Sequence, residues 1–168
     1  NFGLAYGQTD FGLSRALRIS RAEAKDYIAR YKERFPEIDQ YMEESVAYAS
    51  EHHCVRTISG RRRPVADLTS SNYNHRMAAR RVAVNTPVQG TAADIIKLAM
   101  LRVDAALCSD FPSVNLLLQV HDELVLEVPE GLVDPVRHRV VEEMEAAYPL
   151  SVPLKVDTGV GRNWDEAH

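Results

Sequence analysis

Apolar residues recur at helical spacing through the first part of this chain and then give way to two short, dense apolar runs. Ser20-Arg21-Ala22-Glu23 is a capping box, with Ile19 and Ala24 placed as a hydrophobic staple. It predicts a helix that starts near Arg21 and stops before Pro36. A second helix, from about Glu37 to His52, carries Ile38, Tyr41, Met42, Ser45 and Ala49 on one face. Val55 to Leu68, centred on Ser59-Gly60, reads as a short hairpin or turn that displays Arg61, Arg62 and Arg63. From about Tyr73 to Leu107 the helical pattern returns, interrupted by Pro87 and Gly90. That pair is expected to kink or split the helix, and Thr91-Ala92-Ala93-Asp94 is placed to cap its second half.

The apolar runs are Val114 to Val120 and Glu123 to Val128. With only a polar pair between them, they predict a tight β-hairpin. A helix from about Val133 to Tyr148 follows, then a strand from Val152 to Thr158 and a tail holding Trp164. No repeat or low-complexity segment interrupts this order. The chain therefore reads as α+β: a helical first part with a basic connector over 1–72, then an α+β part over 73–168.

Composition adds little until charge is placed along the chain. The 168 residues, 45% hydrophobic and 26% charged, suit one domain or two small subdomains of an ordinary globular protein. No apolar run approaches the roughly 18 residues of a membrane span, and the N-terminus lacks a signal-peptide pattern. Cys54 and Cys108 sit in no metal-ligand or redox spacing, which suits a reducing cytoplasm. The chain begins at Asn1 without Met, as a cut through a longer protein would. Between His52 and Asn85, seven arginines (Arg56, Arg61, Arg62, Arg63, Arg76, Arg80, Arg81) face one acid, Asp67. That segment is +6 and, against a total of −4, the remainder is −10. A basic block with almost no acids to pair with points to a polyanion, though arginines alone do not distinguish DNA, RNA or nucleotide.

Two sets of residues carry candidate chemistry. Asp122 and Glu123 are adjacent carboxylates in the predicted hairpin, held at a defined place by apolar strands. They fit either ordinary turn chemistry or the rigid oxygen ligands of a divalent cation such as Mg²⁺. Arg81, Asn85 and Gln89 follow at i+4 spacing on one helical face, and all three can donate to base edges or sugar oxygens. Such a stripe is either a wet face or a ligand-facing one. Gly3, Tyr6 and Gly7 add a run that permits close approach of something flat or of another backbone, although a tyrosine such as Tyr6 alone is more often core than a stacking platform.

These residues carry a resemblance. Asn1-Phe2-Gly3-Leu4-Ala5-Tyr6-Gly7 resembles the end of the motif B helix in the fingers of family A DNA polymerases, the bacterial DNA polymerase I type. Thr86-Pro87-Val88-Gln89-Gly90-Thr91-Ala92-Ala93-Asp94 is similar to the family's Pro-x-Gln-Gly-(Thr/Ser)-Ala-Ala-Asp segment. Gln119-Val120-His121-Asp122-Glu123 matches motif C of the palm, and Gly60-Arg61-Arg62-Arg63 and Gly161-Arg162-Asn163-Trp164 also fit. Each string is modest. Their order and spacing over Asn1 to His168 are specific.

The resemblance implies a helical fingers subdomain followed by part of an antiparallel palm sheet with packed helices. It implies template-directed transfer of deoxynucleotides to a primer 3′ end by two Mg²⁺ ions, in DNA replication and repair, at a cytoplasmic, nucleoid-associated location with no membrane partner. Asp122 would be a metal ligand, with Glu123 as a second, less essential catalytic carboxylate. His121 would touch the primer end, Tyr6 would stack near the templating base, and Phe2 would pack beside the incoming deoxynucleoside triphosphate. Arg81, Asn85 and Gln89 would follow the minor-groove side of the primer–template DNA, whose acceptors are alike for all base pairs. The basic block from Arg56 to Arg81, Arg61 included, would hold phosphates.

The departures are equally informative. The second metal-binding aspartate of motif A has no counterpart, and the triphosphate-binding arginine and lysine of motif B would precede Asn1. Thumb and exonuclease regions are absent. The chain is therefore expected to be a C-terminal portion, inactive without the upstream part of the polymerase, which would also cover its palm strand edge. The alternative is a non-catalytic nucleic-acid-binding module derived from the same fold. The intact Asp122-Glu123 pair argues against it, because pure binding gives no reason to keep two carboxylates beside DNA phosphates.

Overall fold

In the computed structural model the described residues are 2–5 and 7–167, with backbone alone for Phe2 and Ala5. The expectations for Tyr6 and for the Phe2 side chain lie outside them. Two compact units divide at Thr91/Ala92.

The first unit is built from helices. After α1 (Phe2–Ala5), α2 (Asp10–Leu17) is capped by Thr9, whose hydroxyl accepts from the Gly12 amide. α3 (Arg21–Arg34) starts and stops as the sequence requires. Ser20 accepts from the Glu23 amide, Glu23 reaches back to the Ser20 amide, and Pro36 opens the next helix. α4 (Pro36–His52) buries Ser45 and Ala49 and half-buries Ile38, Tyr41 and Met42, as its spacing predicts. The basic connector folds into a short antiparallel hairpin, β1 (Cys54–Arg56) with β2 (Arg62–Pro64), and Gly60 takes a positive φ of 87° in its turn.

α5 (Tyr73–Asp110) follows, a single 38-residue helix. Pro87 and Gly90 do not split it, and Thr91 does not cap a second helix: its hydroxyl donates back to the Pro87 carbonyl at 2.5 Å. Proline removes one amide from the ladder, but side chains from outside the helix hold the carbonyls around it, so the helix continues. The start of α5 belongs to the first unit because Ala79 and Ala83 share a core with Ala49, Val55 and Val65. The change of unit thus falls inside α5.

In the second unit, β3 (Asn115–Val120) and β4 (Glu123–Glu127) form the expected antiparallel hairpin with a two-residue turn. A register shift between Leu116 and Leu118 bulges Leu117 outward. Leu124 and Leu126 pack on a core made by Val103, Leu107, Val114, Val136 and Val140. The last two come from α6 (Val133–Glu145), three residues shorter than the apolar pattern predicts. Arg102 joins α5 to α6, donating to Glu143 at 2.9 Å and to the Ala146 carbonyl at 3.0 Å.

One expectation fails here. Residues 152–158 form no strand: among the described residues the sheet of this unit holds only β3 and β4, and the Val156 amide donates instead to the Glu145 carboxylate at 3.2 Å. The tail ends in a short helix, α7 (Trp164–Ala167).

Candidate nucleic-acid interface and carboxylate site

The β3–β4 turn presents His121 and Asp122. His121 has φ 54°, in the left-handed region that L side chains seldom enter, and Gln119 fixes the turn by donating from Nε2 to the His121 carbonyl. Glu123 begins β4 opposite Val120. Side chains alternate across a strand, so Glu123 points to the face opposite Leu124 and Leu126, away from the core. His121, Asp122 and Glu123 are all exposed. The Asp122 carboxylate has no hydrogen-bond or ion-pair partner among the described residues.

Two hard carboxylate oxygen donors side by side suit Mg²⁺, which keeps several waters and takes one or two carboxylates together with substrate phosphates. Among the described residues no group of three or more His, Cys, Asp or Glu gathers as a cage of its own. The turn therefore fits in kind a site that takes one or two carboxylates together with substrate phosphates.

In the first unit, Arg81, Asn85 and Gln89 lie on α5 as the i+4 spacing requires. Arg81 and Gln89 are exposed. Asn85 is half-buried, and its buried Oδ1 has no hydrogen-bond partner among the described residues.

The basic block divides into two groups, which the sequence did not reveal. Arg61 Nη2 donates to the Gly90 carbonyl at 3.0 Å, and Arg63 Nη1 to the Thr86 hydroxyl at 3.2 Å. Arg62 Nη2 reaches the buried Cys54 Sγ at 3.4 Å, which raises the guanidinium pKa, and Arg76 Nη1 donates to the Ser70 carbonyl at 2.7 Å. These four tie the connector to itself and to α5. Arg56, Arg80 and Arg81 are exposed, with no hydrogen bond or ion pair among the described residues.

Sequence reasoning missed the residues that hold α5 near Pro87. Tyr41 donates to the Val84 carbonyl at 2.7 Å, and the Ile58 amide donates to the Thr91 hydroxyl at 3.0 Å. Thr57 packs so close that a Cβ on Gly90 would lie 2.7 Å from its Cγ2. A glycine inside a helical pattern was the available signal, since it often marks close approach of another backbone or side chain.

Comparison with known proteins gives these features a context. The family model for DNA polymerase family A matches residues 1–166. The DNA polymerase I of Lactococcus lactis subsp. lactis is 50% identical over 168 residues, covering 99% of this chain and 19% of that protein. The DNA polymerase I of Pseudomonas aeruginosa is 49% identical over 168 residues, 100% of this chain and 18% of that protein. Among solved structures, the POL domain of Pol1 from M. smegmatis, in complex with DNA primer-template and dNTP, superposes with a TM-score of 0.94 at 46% identity. That match covers 99% of this chain and 29% of the other. The chain thus spans about a fifth of the length of the curated relatives it matches. With a family match across nearly all of its residues and a solved relative of the same fold, the chain belongs to DNA polymerase family A.

Proposed function

We propose that this chain supplies part of the nucleotidyl-transfer site and part of the duplex-binding surface of a template-directed DNA polymerase. On this reading it acts with an upstream segment that provides the remaining carboxylate and the triphosphate-binding groups. The observation that carries the reading is the exposed Asp122-Glu123 pair on a turn fixed by apolar strands, within a chain matched to the family from 1 to 166.

Asp122 would hold Mg²⁺, with Glu123 beside it. When bound, the cation supplies Lewis-acid stabilisation of phosphoryl oxygens and lowers the pKa of an attacking hydroxyl. The protein's own contribution is placement. The left-handed His121 and the Gln119 bond to its carbonyl hold the turn, so Asp122 is not reoriented as charge develops. His121, at the same turn, would contact the primer end.

Arg81, Asn85 and Gln89 would contact the minor-groove edge of the duplex, with donors that accept any base pair. Arg56 and Arg80 would add phosphate contacts that position without reading sequence. Phe2 and Tyr6 would meet the incoming nucleotide and the templating base. Residues 1–72 would then serve as fingers with the basic connector, and 73–168 as the second half of the palm.

Primer extension on a simple DNA template with Mg²⁺ tests this reading. The chain is assayed alone and then mixed with a family A segment ending just before Asn1. Activity only in the mixture is the expected result. Duplex binding without activity, in a mixture shown to assemble, would mark the chain as a binding module instead. Activity from the chain alone would overturn the assignment of a missing carboxylate.

A further inference from the structure

We infer that the β1–β2 hairpin is a brace that sets the geometry of the Arg81–Asn85–Gln89 face, with Arg63 and Thr91 as positioning residues. The inference rests on the proposal that this face meets duplex DNA.

Pro87 lies between Asn85 and Gln89, and its missing amide deprives the Ala83 carbonyl of its helical partner. A helix with that defect can bend there, and a bend would move Gln89 relative to Arg81 and Asn85. Contacts from outside the helix oppose the bend. Tyr41 takes the Val84 carbonyl at 2.7 Å and Arg61 takes the Gly90 carbonyl at 3.0 Å. The Ile58 amide donates at 3.0 Å to the Thr91 hydroxyl, which itself donates to the Pro87 carbonyl, and Arg63 holds the Thr86 hydroxyl at 3.2 Å.

At about 100° per residue, positions 87, 90 and 91 lie on the side of α5 away from 81, 85 and 89, and 84 and 86 lie on its two flanks. The brace therefore grips the back and flanks of the helix and leaves Arg81 and Gln89 exposed. Gly90 makes this possible, because any side chain there would strike the methyl of Thr57, a buried and rotamerically stiff residue.

The test combines duplex binding with amide exchange on the full chain, using Arg63→Ala, Thr91→Val, Gln89→Ala and the Arg63→Ala/Gln89→Ala double variant. Arg63→Ala should weaken binding of a primer–template about five- to tenfold, on the scale of one lost hydrogen bond. The dependence of affinity on salt should stay unchanged, and Arg63→Lys, which keeps a donor, should recover part of the loss. The double variant should bind little worse than either single one, because both act through the same face. Amide exchange at 86–92 should rise in Arg63→Ala and Thr91→Val, while α3 and α6 keep their protection.

A salt slope reduced by about 0.9, with additive losses, would make Arg63 a direct phosphate contact and overturn the inference. So would unchanged exchange at 86–92 in Thr91→Val, the variant of record should Arg63→Ala fail to fold. If Gln89→Ala leaves duplex affinity unaltered while exchange still rises, the duplex reading itself fails and the positioning role falls with it.

Discussion

The Tyr41 hydroxyl donates to the Val84 carbonyl at 2.7 Å, joining α4 to α5 just ahead of Pro87. Val84 is buried, so its carbonyl has little water to turn to when the phenol is removed. Tyr41→Phe keeps the ring and deletes the donor. We expect a loss of about 1 kcal/mol, read by urea unfolding. A midpoint equal to that of the parent would show that the bond contributes nothing net.

Gly90→Ala should destabilise, against ordinary helix propensity. In an exposed helix interior alanine is favoured over glycine by about 1 kcal/mol. Here the new Cβ would stand 2.7 Å from Thr57 Cγ2. Thr57→Ser removes that methyl and keeps the hydroxyl that accepts from the Arg61 amide at 3.1 Å. The double variant should therefore be more stable than Gly90→Ala alone in thermal unfolding. Additive losses would place the strain elsewhere.

Leu107→Ala tests the core of the second unit. Leu107 is 3% exposed and packs with Val103, Val114, Val136 and Val140. Truncation should cost about 2–4 kcal/mol by lost burial and the cavity left behind. Chemical denaturation followed by circular dichroism gives the value, and a cost well under 1 kcal/mol would mean that the neighbours collapse into the space.

Acid should loosen the α2–α3 region first. Hydrogen bonds from the Ser20 hydroxyl and backbone hold the Glu23 carboxyl below its ordinary 4.5, and the Arg21 guanidinium holds Asp10 below 3.8. Carboxyl pKa values depressed by folding contribute stability that is full above these ordinary values. That contribution is lost as pH falls through the lowered ones. Glu23 is exposed and Asp10 half-buried, both at the surface, so the effect is local. Amide exchange in α3 should rise on acidification below about pH 4, and Ser20→Ala should already show raised exchange at neutral pH with a flatter acid response. An acid response identical in both proteins would remove Glu23 from the account.

Asp122→Ala, placed in a complete polymerase, should abolish nearly all primer extension while leaving duplex affinity close to that of the parent. The carboxylate has no partner among the described residues to lose, so folding should be untouched. Retained turnover would sink the metal-ligand assignment.

Local rules carried most of the architecture. Ser20 and Glu23 mark the start of α3 and Pro36 its end, because capping hydrogen bonds and the proline ring act within a few residues. The hairpin at His121-Asp122 was legible for the same reason: two apolar runs of strand length admit few connections. The order of short motifs identified the family before any coordinate did, and the match over 1–166 agrees.

What local signals could not decide was set by contacts distant in sequence. Pro87 and Gly90 are helix breakers by their own chemistry, yet α5 runs through both because residues 29 to 43 positions away hold its carbonyls and hydroxyls. Arginines with no acids nearby look free in sequence, whereas Arg61, Arg62, Arg63 and Arg76 find carbonyl, hydroxyl and thiol acceptors that no charge pattern reveals. Residues 152–158 have strand-forming composition and no strand to pair with. Sequence by itself determined which residues start, stop and face inward, since those preferences are local. Tertiary structure alone decided which defects are tolerated and which polar groups are already spent, since both depend on partners that only folding brings near.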